Sequence, residues 1–458
     1  MLDTFRNAWK IPDLRRRIVF TLFMLIVFRF GAHLPVPYLS ADAMKAFLGD
    51  SGGGMDLFNL FDTFTGGAFQ NATVLAMGVS PYINASIIIQ LLTVAIPSLE
   101  RLAKEGLEGR KKLNKITRYL GIALAFIQGA GLYVTLYNMG SAITNPNVLT
   151  FFVIVLTFTA GTAFIVWIGE QITEKGLGNG VSMIIFAGIV SRIPSAAKAV
   201  YNTYVTGTSY SPIGIIKALL ILAVAIAAIT LVVFFTNAER RIPVQYAKRV
   251  VGRKMYGGQS TNIPIKVAAG GVMPIIFASS IMAFPSTIVR LLNGGNVPQT
   301  GVGGTILNCL SSTGPVWTTV VYGILYFLLI IFFTYFYSSI QFNPIEMSNN
   351  IKKSGGYIPG IRPGRPTSDY LMKIISRLVL IGALMISAVA LFPIVYSLIC
   401  KMAIPANPDA AANSIAAQGG MTISLGGTSL IILVGVALET VRQLESQMMM
   451  KHYKGFLD

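Results

Sequence analysis

Long runs of apolar residues recur along the whole chain, separated by shorter stretches that hold most of the charged side chains. A helix that crosses a hydrocarbon core roughly 30 Å thick needs about 20 predominantly apolar residues, and these runs reach that length repeatedly. The pattern predicts ten membrane-spanning helices. They cover residues 18–38, 74–97, 116–138, 148–169, 180–197, 213–236, 270–292, 316–340, 371–397 and 425–444.

One stretch, residues 57–74, departs from this pattern because it is only half apolar and too short to cross a bilayer. It carries Asp62, Gly66, Gly67 and Asn71. Irregular backbone at membrane depth is tolerated only where protein or a water-filled cavity surrounds it. The stretch therefore predicts a re-entrant segment in a cavity on the outer side. A loop lying on the outer membrane surface is the alternative.

The composition agrees with a membrane protein, since 53% of the 458 residues are hydrophobic and only 12% are charged. The chain has no glycine-rich phosphate-binding motif, no His-Glu-x-x-His motif and no cysteine cluster, and its only histidines are His33 and His452. We predict neither an enzyme nor a cofactor or metal site. Few ionisable residues lie inside the predicted spans, and we expect Arg29 and Lys217 to reach towards the membrane surface.

The basic residues are distributed unevenly about the predicted spans. Of the 36 Lys and Arg residues, 29 lie in the two termini, with Arg442 counted in the second, and in the segments 98–118, 170–179, 237–269 and 341–377. Lys and Arg concentrate in cytoplasmic loops of membrane proteins. This distribution predicts that both termini lie in the cytoplasm.

Two of these cytoplasmic segments, about 237–269 and 340–371, are unusually long for loops that only orient a protein. Residues 239–266 contain seven Lys or Arg and one acid. In the second loop, Arg362 stands before Pro363 and Gly364, at the expected tip of a turn. The loops predict a docking surface, with orientation or contact with anionic lipids as the simpler alternative.

Polar and branched residues follow helical spacing in two predicted spans. The second span carries Asn84, Ser86, Gln90 and Thr93, so we expect that face to point into protein. Isoleucines four residues apart share one helix face in spans two and five, although such spacing is also typical of ordinary packing. These are Ile83 with Ile87 and Ile185 with Ile189.

Several of these segments together resemble the SecY family. The resemblance is carried by Tyr246-Ala-Lys-Arg249, Gln259-Ser-Thr261, Ile361-Arg-Pro-Gly364, residues 81–92 and Gly427-Thr-Ser429. It implies an all-α membrane protein with ten transmembrane helices in two pseudo-symmetric, inverted five-helix halves around an hourglass pore, closed by a short re-entrant plug helix. The halves would be residues 1–200 and 201–458. Tyr38 departs from the family, which often has glycine there.

The resemblance implies roles for particular residues. A ring of apolar side chains would constrict the pore: Ile83, Ile87, Ile185, Ile189, Ile276 and Ile432. The plug would comprise Phe64, Thr65, Gly66, Gly67, Ala68, Phe69, Gln70, Asn71, Ala72 and Thr73. Polar residues would line a lateral gate between spans 2 and 3 on one side and 7 and 8 on the other: Gln90, Thr93, Gln128, Ser279 and Ser280. The docking residues would be Arg240, Arg241, Lys248, Arg249, Arg253, Lys254 and Arg362.

The function implied is a protein-conducting channel that moves unfolded secretory polypeptides across the membrane and releases hydrophobic segments sideways into lipid. Energy would come from the motor ATPase SecA or a translating ribosome. Further expected partners are the small membrane subunits SecE and SecG, signal peptides, nascent chains and anionic lipids. From the residues alone, a secondary carrier for small solutes and a membrane scaffold remain as alternatives.

Overall fold

The computed structural model describes residues 2–42, 44–45, 62–138, 142–204, 212–246, 249–251, 254–256, 260–268, 270–292, 301–310, 316–403 and 427–454. Helices account for most of these residues. The helices up to residue 237 are α1 (Leu2–Lys10), α2 (Pro12–Gly31), α3 (Ser80–Ala95), α4 (Pro97–Lys104), α5 (Leu107–Asn138), α6 (Val148–Lys175), α7 (Gly180–Tyr204) and α8 (Pro212–Asn237). The later helices are α9 (Met273–Leu292), α10 (Gly301–Cys309), α11 (Val316–Gln341), α12 (Pro344–Lys353), α13 (Arg365–Ala403) and α14 (Gly427–Lys454).

Each of the ten apolar runs contains a helix. Among the described residues, five helices are long and apolar enough to cross a membrane, or six if the bent pair α3 and α4 forms one span. The chain is therefore a multi-pass membrane protein, and a total of ten crossings stays a prediction. The five are Glu108–Asn138, Val148–Lys175, Gly180–Lys198, Val316–Lys353 and Arg365–Val395.

Proline sets several helix boundaries. Pro12 and Pro97 each lie in the first turn of a helix, where the missing N–H has no helical acceptor to satisfy. The residue before Pro97, Ile96, is extended, because a proline disfavours helical backbone in its predecessor. The chain bends by 102° between α3 and α4 at this point. The predicted second span thus ends at the bend.

Three buried clusters build the membrane-embedded part. One joins the end of α5 and the middle of α6 to residues 36–77 and contains Phe69 and Phe158. A second, with Phe277 and Phe333, is built mainly from α9, α11, α13 and α14. The third lies where α2, α6, α7, α9 and α14 come together, and it contains only apolar side chains. This third cluster is called the central cluster below.

The cytoplasmic loops contain β-structure that the sequence prediction missed. Strands β1 (Glu239–Tyr246), β4 (Ser260–Lys266) and β5 (Gly356–Tyr357) form a sheet in the order β4-β1-β5, and β2 (Arg249–Val251) pairs with β3 (Lys254–Tyr256). The pairings are antiparallel, with Val244 opposite Thr261 and Gln245 opposite Tyr357. The fold is therefore mostly helical rather than all-α.

A small hydrophobic core supports this sheet. Ile242 and Val244 on β1 are buried, whereas the residues between and before them are exposed, so the strand presents one face to the core. Buried partners come from β4, from the second loop and from the cytoplasmic end of α13, among them Ile265, Ile358 and Leu371. The two basic loops thus fold as one unit.

Tyr38, the departure from the family pattern, has a backbone φ of 65°. This left-handed region is one that glycine adopts without steric cost and that costs other residues roughly 1–2 kcal/mol. The Tyr38 carbonyl accepts a 3.0 Å hydrogen bond from the Thr144 N–H, which holds the turn in place. The family's frequent glycine therefore has a physical reason at this outer turn.

Candidate functional site

The structure brings isoleucines from four helices into the central cluster. Ile185 and Ile189 of α7, Ile276 of α9 and Ile432 of α14 are buried members, with relative exposures of 0–7%. Ile83 of α3 is partly buried and packs against them. Five of the six isoleucines chosen from the sequence therefore meet in one place. Their side chains offer no hydrogen-bonding group to an ion or to water.

Ile87 is the exception among the six. It is buried in the neighbouring cluster, whose other members come from the helices after residue 212. Ile83 packs against both clusters, and Ile87 lies one turn further along α3, about 6 Å away along the helix axis. That step places Ile87 in the contact between α3 and the later helices rather than in the central cluster.

The predicted plug segment lies against the central cluster. A single helical turn at residues 62–65 is followed by a series of turns up to α3. Phe64 belongs to the central cluster, and Ala68, Phe69 and Ala72 are at most 1% exposed. Of the predicted plug residues, Asn71 is the exposed one. The segment is thus a packed structure rather than a loop on the surface.

Backbone hydrogen bonds join the end of this segment to the residues after α2. The Val36 N–H donates to the Ala72 carbonyl, and the Val74 N–H donates to the Leu34 carbonyl, each at 2.9 Å. Pro35 and Thr73 face each other in an isolated antiparallel bridge. These bonds satisfy backbone groups that would otherwise be costly to bury. The end of the segment is therefore fixed to the outer end of α2.

The beginning of the segment packs closely on α7 through glycine. The Phe64 carbonyl oxygen lies so near Gly188 that a Cβ atom on Gly188 would overlap it. A Cβ on Gly66 would likewise overlap the Ser191 hydroxyl, and Gly66 has a φ of 68°. Both positions thus require the absence of a side chain. The close approach brings the backbones of the plug and α7 into contact.

Two arginines on the surrounding helices contact the same segment. The Arg192 guanidinium of α7 lies 2.8 Å from the Asp62 carboxylate and 3.4 Å from the Thr63 hydroxyl. Asp62 also accepts a 2.8 Å hydrogen bond from the Gln70 N–H. Burial raises the pKa of the Asp62 carboxyl, and Arg192 and the Gln70 bond oppose that rise. Arg29 of α2 donates to the Gly66 carbonyl at 2.9 Å, so it binds protein instead of only reaching to the membrane surface.

The sequence analysis did not assign Asp62 and Arg192 to the site. A usable signal existed, because Asp62 is the acid of the re-entrant stretch and Arg192 stands near the outer end of a predicted span. Ionisable residues at such depth have partners or a function. The sequence does not show that the two side chains lie close enough to form an ion pair.

The predicted lateral-gate residues lie on α3, α5 and α9, and α9 contacts α5 and α11. The Thr93 hydroxyl donates to the Gln90 carbonyl at 2.7 Å, and the Ser279 hydroxyl donates to the Ile276 carbonyl at 3.0 Å. Both bonds stay within one helix. Gln128 carries a buried side-chain oxygen for which the described part of the chain offers no hydrogen-bond partner. Neither of these two bonds joins α3 or α9 to a neighbouring helix.

The basic residues of the first loop that the structure describes lie on its strands. Arg240 and Arg241 are exposed on β1, and Arg241 also lies 2.8 Å from Glu239. Arg249 and Lys254 belong to the β2–β3 hairpin. The predicted Lys248 and Arg253 lie outside the described residues.

Arg362 is exposed at the tip of a turn that other residues hold rigid. The Thr367 hydroxyl donates to the Arg362 carbonyl, and the buried Ser348 hydroxyl donates to the Gly364 carbonyl, each at 2.8 Å. Gly360 and Gly364 have φ angles of 81° and 104°, which favour glycine. The Arg362 side chain contributes to none of these bonds. It projects from a fixed support.

Comparison with known proteins identifies the relatives of this chain. The family model described as SecY matches residues 73–441. The protein translocase subunit SecY of Halalkalibacterium halodurans is 44% identical over 460 residues, with all of both chains covered. The protein of the same name from Thermotoga maritima is 41% identical, covering all of this chain and 98% of that one.

Solved structures with the same fold are protein channels. A structure described as a protein-conducting channel has a TM-score of 0.60 at 18% identity, covering 94% of this chain and 92% of the other. Sec61 in a canine ribosome-channel complex from the endoplasmic reticulum has a TM-score of 0.58 at 17% identity and the same coverage. At these identities the likeness shows the fold.

The close contact at Gly188 leads to a prediction about stability. We expect Gly188→Ala to lower the thermal unfolding temperature in detergent, because the added methyl group separates α7 from Phe64 at a cost of about 1–3 kcal/mol. Gly323→Ala on α11 is the matched control, since its added Cβ would meet no atom closer than 3.8 Å. The control should be neutral or slightly stabilising, as alanine favours a helix. Equal unfolding temperatures for the two variants would contradict the close contact.

Proposed function

This chain belongs to the SecY family of protein translocase subunits, and from that premise we propose that it conducts unfolded secretory polypeptides across a bacterial plasma membrane and releases hydrophobic segments into the bilayer. The resemblance found in the sequence is confirmed. The observation that supports the channel function best is the meeting of isoleucines from α3, α7, α9 and α14 with Phe64 in one apolar cluster. The chain performs no covalent chemistry in this function, and its energy comes from a partner.

The central cluster is the constriction of the channel. Apolar constrictions exclude water and ions by dewetting. Isoleucine side chains also yield to a polypeptide of any sequence, because they form no specific bonds that the cargo would have to replace. A polar filter would retain some side chains and reject others. The proposal places this ring midway along an hourglass pore between two inverted five-helix halves, residues 1–200 and 201–458.

Residues 64–73 form the plug on the outer side of the ring. The contact of Phe64 with the central cluster and the burial of Phe69 support this assignment. A structure of the same fold, with a TM-score of 0.60, is described as having a plug domain that stabilises the closed state and maintains a membrane seal. Displacement of the plug opens the path to the outer side.

The lateral gate is the seam between α3 and α5 on one side and α9 and α11 on the other. Gln128 supports this assignment, because an unpaired amide in an apolar contact weakens the packing around it. Gln90, Thr93, Ser279 and Ser280 add polar surface to the same region. A signal peptide or transmembrane segment leaves the pore through this seam.

The folded cytoplasmic loops form the docking surface for SecA or a ribosome. Arg240, Arg241, Lys248, Arg249, Arg253 and Lys254 supply charge for RNA phosphates or acidic protein surfaces, and Arg362 enters a pocket on the motor. SecE and SecG complete the membrane complex, with anionic lipids around it. Ten crossings place both termini in the cytoplasm, in agreement with the distribution of basic residues.

A crosslinking experiment tests the polypeptide path. Cys309 and Cys400 are replaced by serine, and single cysteines are introduced as Ile83→Cys, Ile432→Cys and Leu328→Cys. Leu328 is the control, since it is 55% exposed near the middle of α11. We expect a secretory chain arrested in transit to crosslink to positions 83 and 432 and not to position 328. Crosslinking at 328 alone would contradict the proposed path.

A polar residue in the ring should weaken the closed state. We expect Ile432→Asn to raise the export of a protein with a poorly hydrophobic signal peptide several-fold, because the amide draws water into the constriction and lowers the cost of opening. Ile432→Val keeps the ring apolar and should leave export near the wild-type rate. The measurement is the rate of export of the defective substrate in cells. Equal rates for all three channels would remove Ile432 from the ring.

A charge reversal at the turn tip should impair docking and leave folding unchanged. We expect Arg362→Glu to reduce SecA-driven export by about tenfold or more, as a lost charge contact at an interface costs roughly 2–5 kcal/mol. The turn should stay intact, since only the Arg362 backbone takes part in its hydrogen bonds. Lys353→Glu on the exposed end of α12 is the control. Normal export by Arg362→Glu would exclude this residue from docking.

A further inference from the structure

We propose that Asp62 and Arg192 form an ion-pair latch that holds the plug in its resting position, and that movement of α7 releases it. The inference rests on the proposed function of residues 64–73 as the plug. It assigns the two charged residues as positioning residues for the plug. Neither belongs to the pore ring, the lateral gate or the docking surface.

The burial of the pair argues for more than a surface ion pair. The Asp62 side chain is 4% exposed and that of Arg192 is 28% exposed, with 2.8 Å between them. Ion pairs in water contribute little, whereas a buried charge that loses its partner is strongly destabilised. While the plug is seated, Arg192 compensates the Asp62 charge. The closed position is thus the one in which both charges have partners.

The bonds around Asp62 connect three parts of the segment to each other and to the channel wall. One carboxylate oxygen accepts from the Gln70 N–H, and the other faces Arg192. The Gly67 N–H donates to the Asp62 backbone carbonyl at 2.9 Å, so both the backbone and the side chain of Asp62 are bonded to the turn that follows. Arg29 of α2 also holds the segment, by donating to the Gly66 carbonyl. A pull on Asp62 therefore acts on the whole plug.

Arg192 is also positioned so that a movement of the isoleucine ring would move it. It lies on α7 seven residues after Ile185 and three after Ile189, so all three side chains share one face of the helix. Arg29 of α2 directly follows Phe28, which is buried in the central cluster. A polypeptide that spreads the ring displaces α7, and the same displacement separates Arg192 from Asp62. Entry of the cargo and release of the plug are coupled in this way.

The test measures how accessible the plug is in the full-length chain within its native membrane complex. Cys309 and Cys400 are replaced by serine, and a single cysteine is introduced as Ala68→Cys, a position that is 0% exposed. A membrane-impermeant maleimide is added on the outer side, and the labelling rate is followed. Ala383→Cys, also at a 0% exposed position but on α13, away from the plug segment, reports any general unfolding.

Four variants separate a latch from a passive ion pair. They are Arg192→Gln, Arg192→Lys, Asp62→Asn and the double variant Asp62→Asn with Arg192→Gln. Lys198→Gln is the matched control, because Lys198 is an exposed cation on the same helix. Thermal unfolding of each variant is recorded beside the labelling rate.

We expect Arg192→Gln to raise labelling at position 68 by about tenfold or more, since tenfold corresponds to only about 1.4 kcal/mol of the penalty for an unpaired buried charge. The double variant should label more slowly than Arg192→Gln, because two neutral amides leave no unpaired charge. Arg192→Lys keeps the charge and should stay closer to the wild-type rate. Lys198→Gln should change nothing, and position 383 should stay protected in every variant.

Two results overturn the latch, and they are distinguishable from failure of the plug assignment. Unchanged labelling in Arg192→Gln, or effects of the single variants that simply add in the double variant, would exclude a coupled pair. In the same preparation, an arrested secretory chain should expose position 68 in the wild-type sequence. If it does so while Arg192→Gln does not, the plug stands and the latch is wrong. If position 68 stays protected even with an arrested chain, the plug assignment is wrong, and the latch with it.

Discussion

The contact of apolar side chains in the central cluster is the interaction on which the rest of the structure depends. It joins α2, α6, α7, α9 and α14 at one point and includes Phe64 of the re-entrant segment. Dispersion contacts between branched side chains are individually weak and have no preferred partner. A cluster of this kind closes tightly and yet reopens without breaking specific bonds. The same property suits a barrier that must exclude ions and admit any polypeptide.

Because the central cluster has no directional bonds, the hydrogen bonds and the ion pair that fix the segment lie around the cluster. Irregular backbone at membrane depth requires every polar group to find a partner within the protein. Within residues 62–79, many backbone groups find such partners through turns, through the strand-like pairing with residues 34–36 and through Asp62. Gly66 and Gly188 allow backbones to approach each other where a side chain would prevent it. An apolar centre surrounded by directional bonds thus combines a deformable barrier with a defined resting position.

The sequence predicts where helices form along the apolar runs and that residues 62–74 depart from them, because both follow from the length and polarity of the runs. Ile185 and Ile189 share a helix face by spacing alone, and the structure brings them together with Ile276 and Ile432. That last step needed the family resemblance, since no local pattern joins α7 to α9 and α14. The strands in the basic loops were not predicted, although Ile242 and Val244 alternate with exposed residues, because one partner strand of β1 lies in the second loop, far along the chain. The pairing of Asp62 with Arg192 spans 130 positions, and such distances are set by tertiary packing, which a single sequence does not reveal.

The cytoplasmic unit and the central cluster are joined by covalent and non-covalent links. Strand β1 begins at Glu239, two residues after α8 ends at Asn237. The Asn237 side chain accepts a 2.7 Å hydrogen bond from Arg442 of α14, the helix that also carries Ile432. After β4, the Val267 carbonyl lies so close to Gly382 of α13 that a side chain there would overlap it. The sheet therefore rests directly on α13, and the end of α8 that leads into the sheet is bonded to α14. Because packed helices move as rigid bodies rather than bending freely, a force applied to the sheet has a short mechanical path through α14 to Ile432.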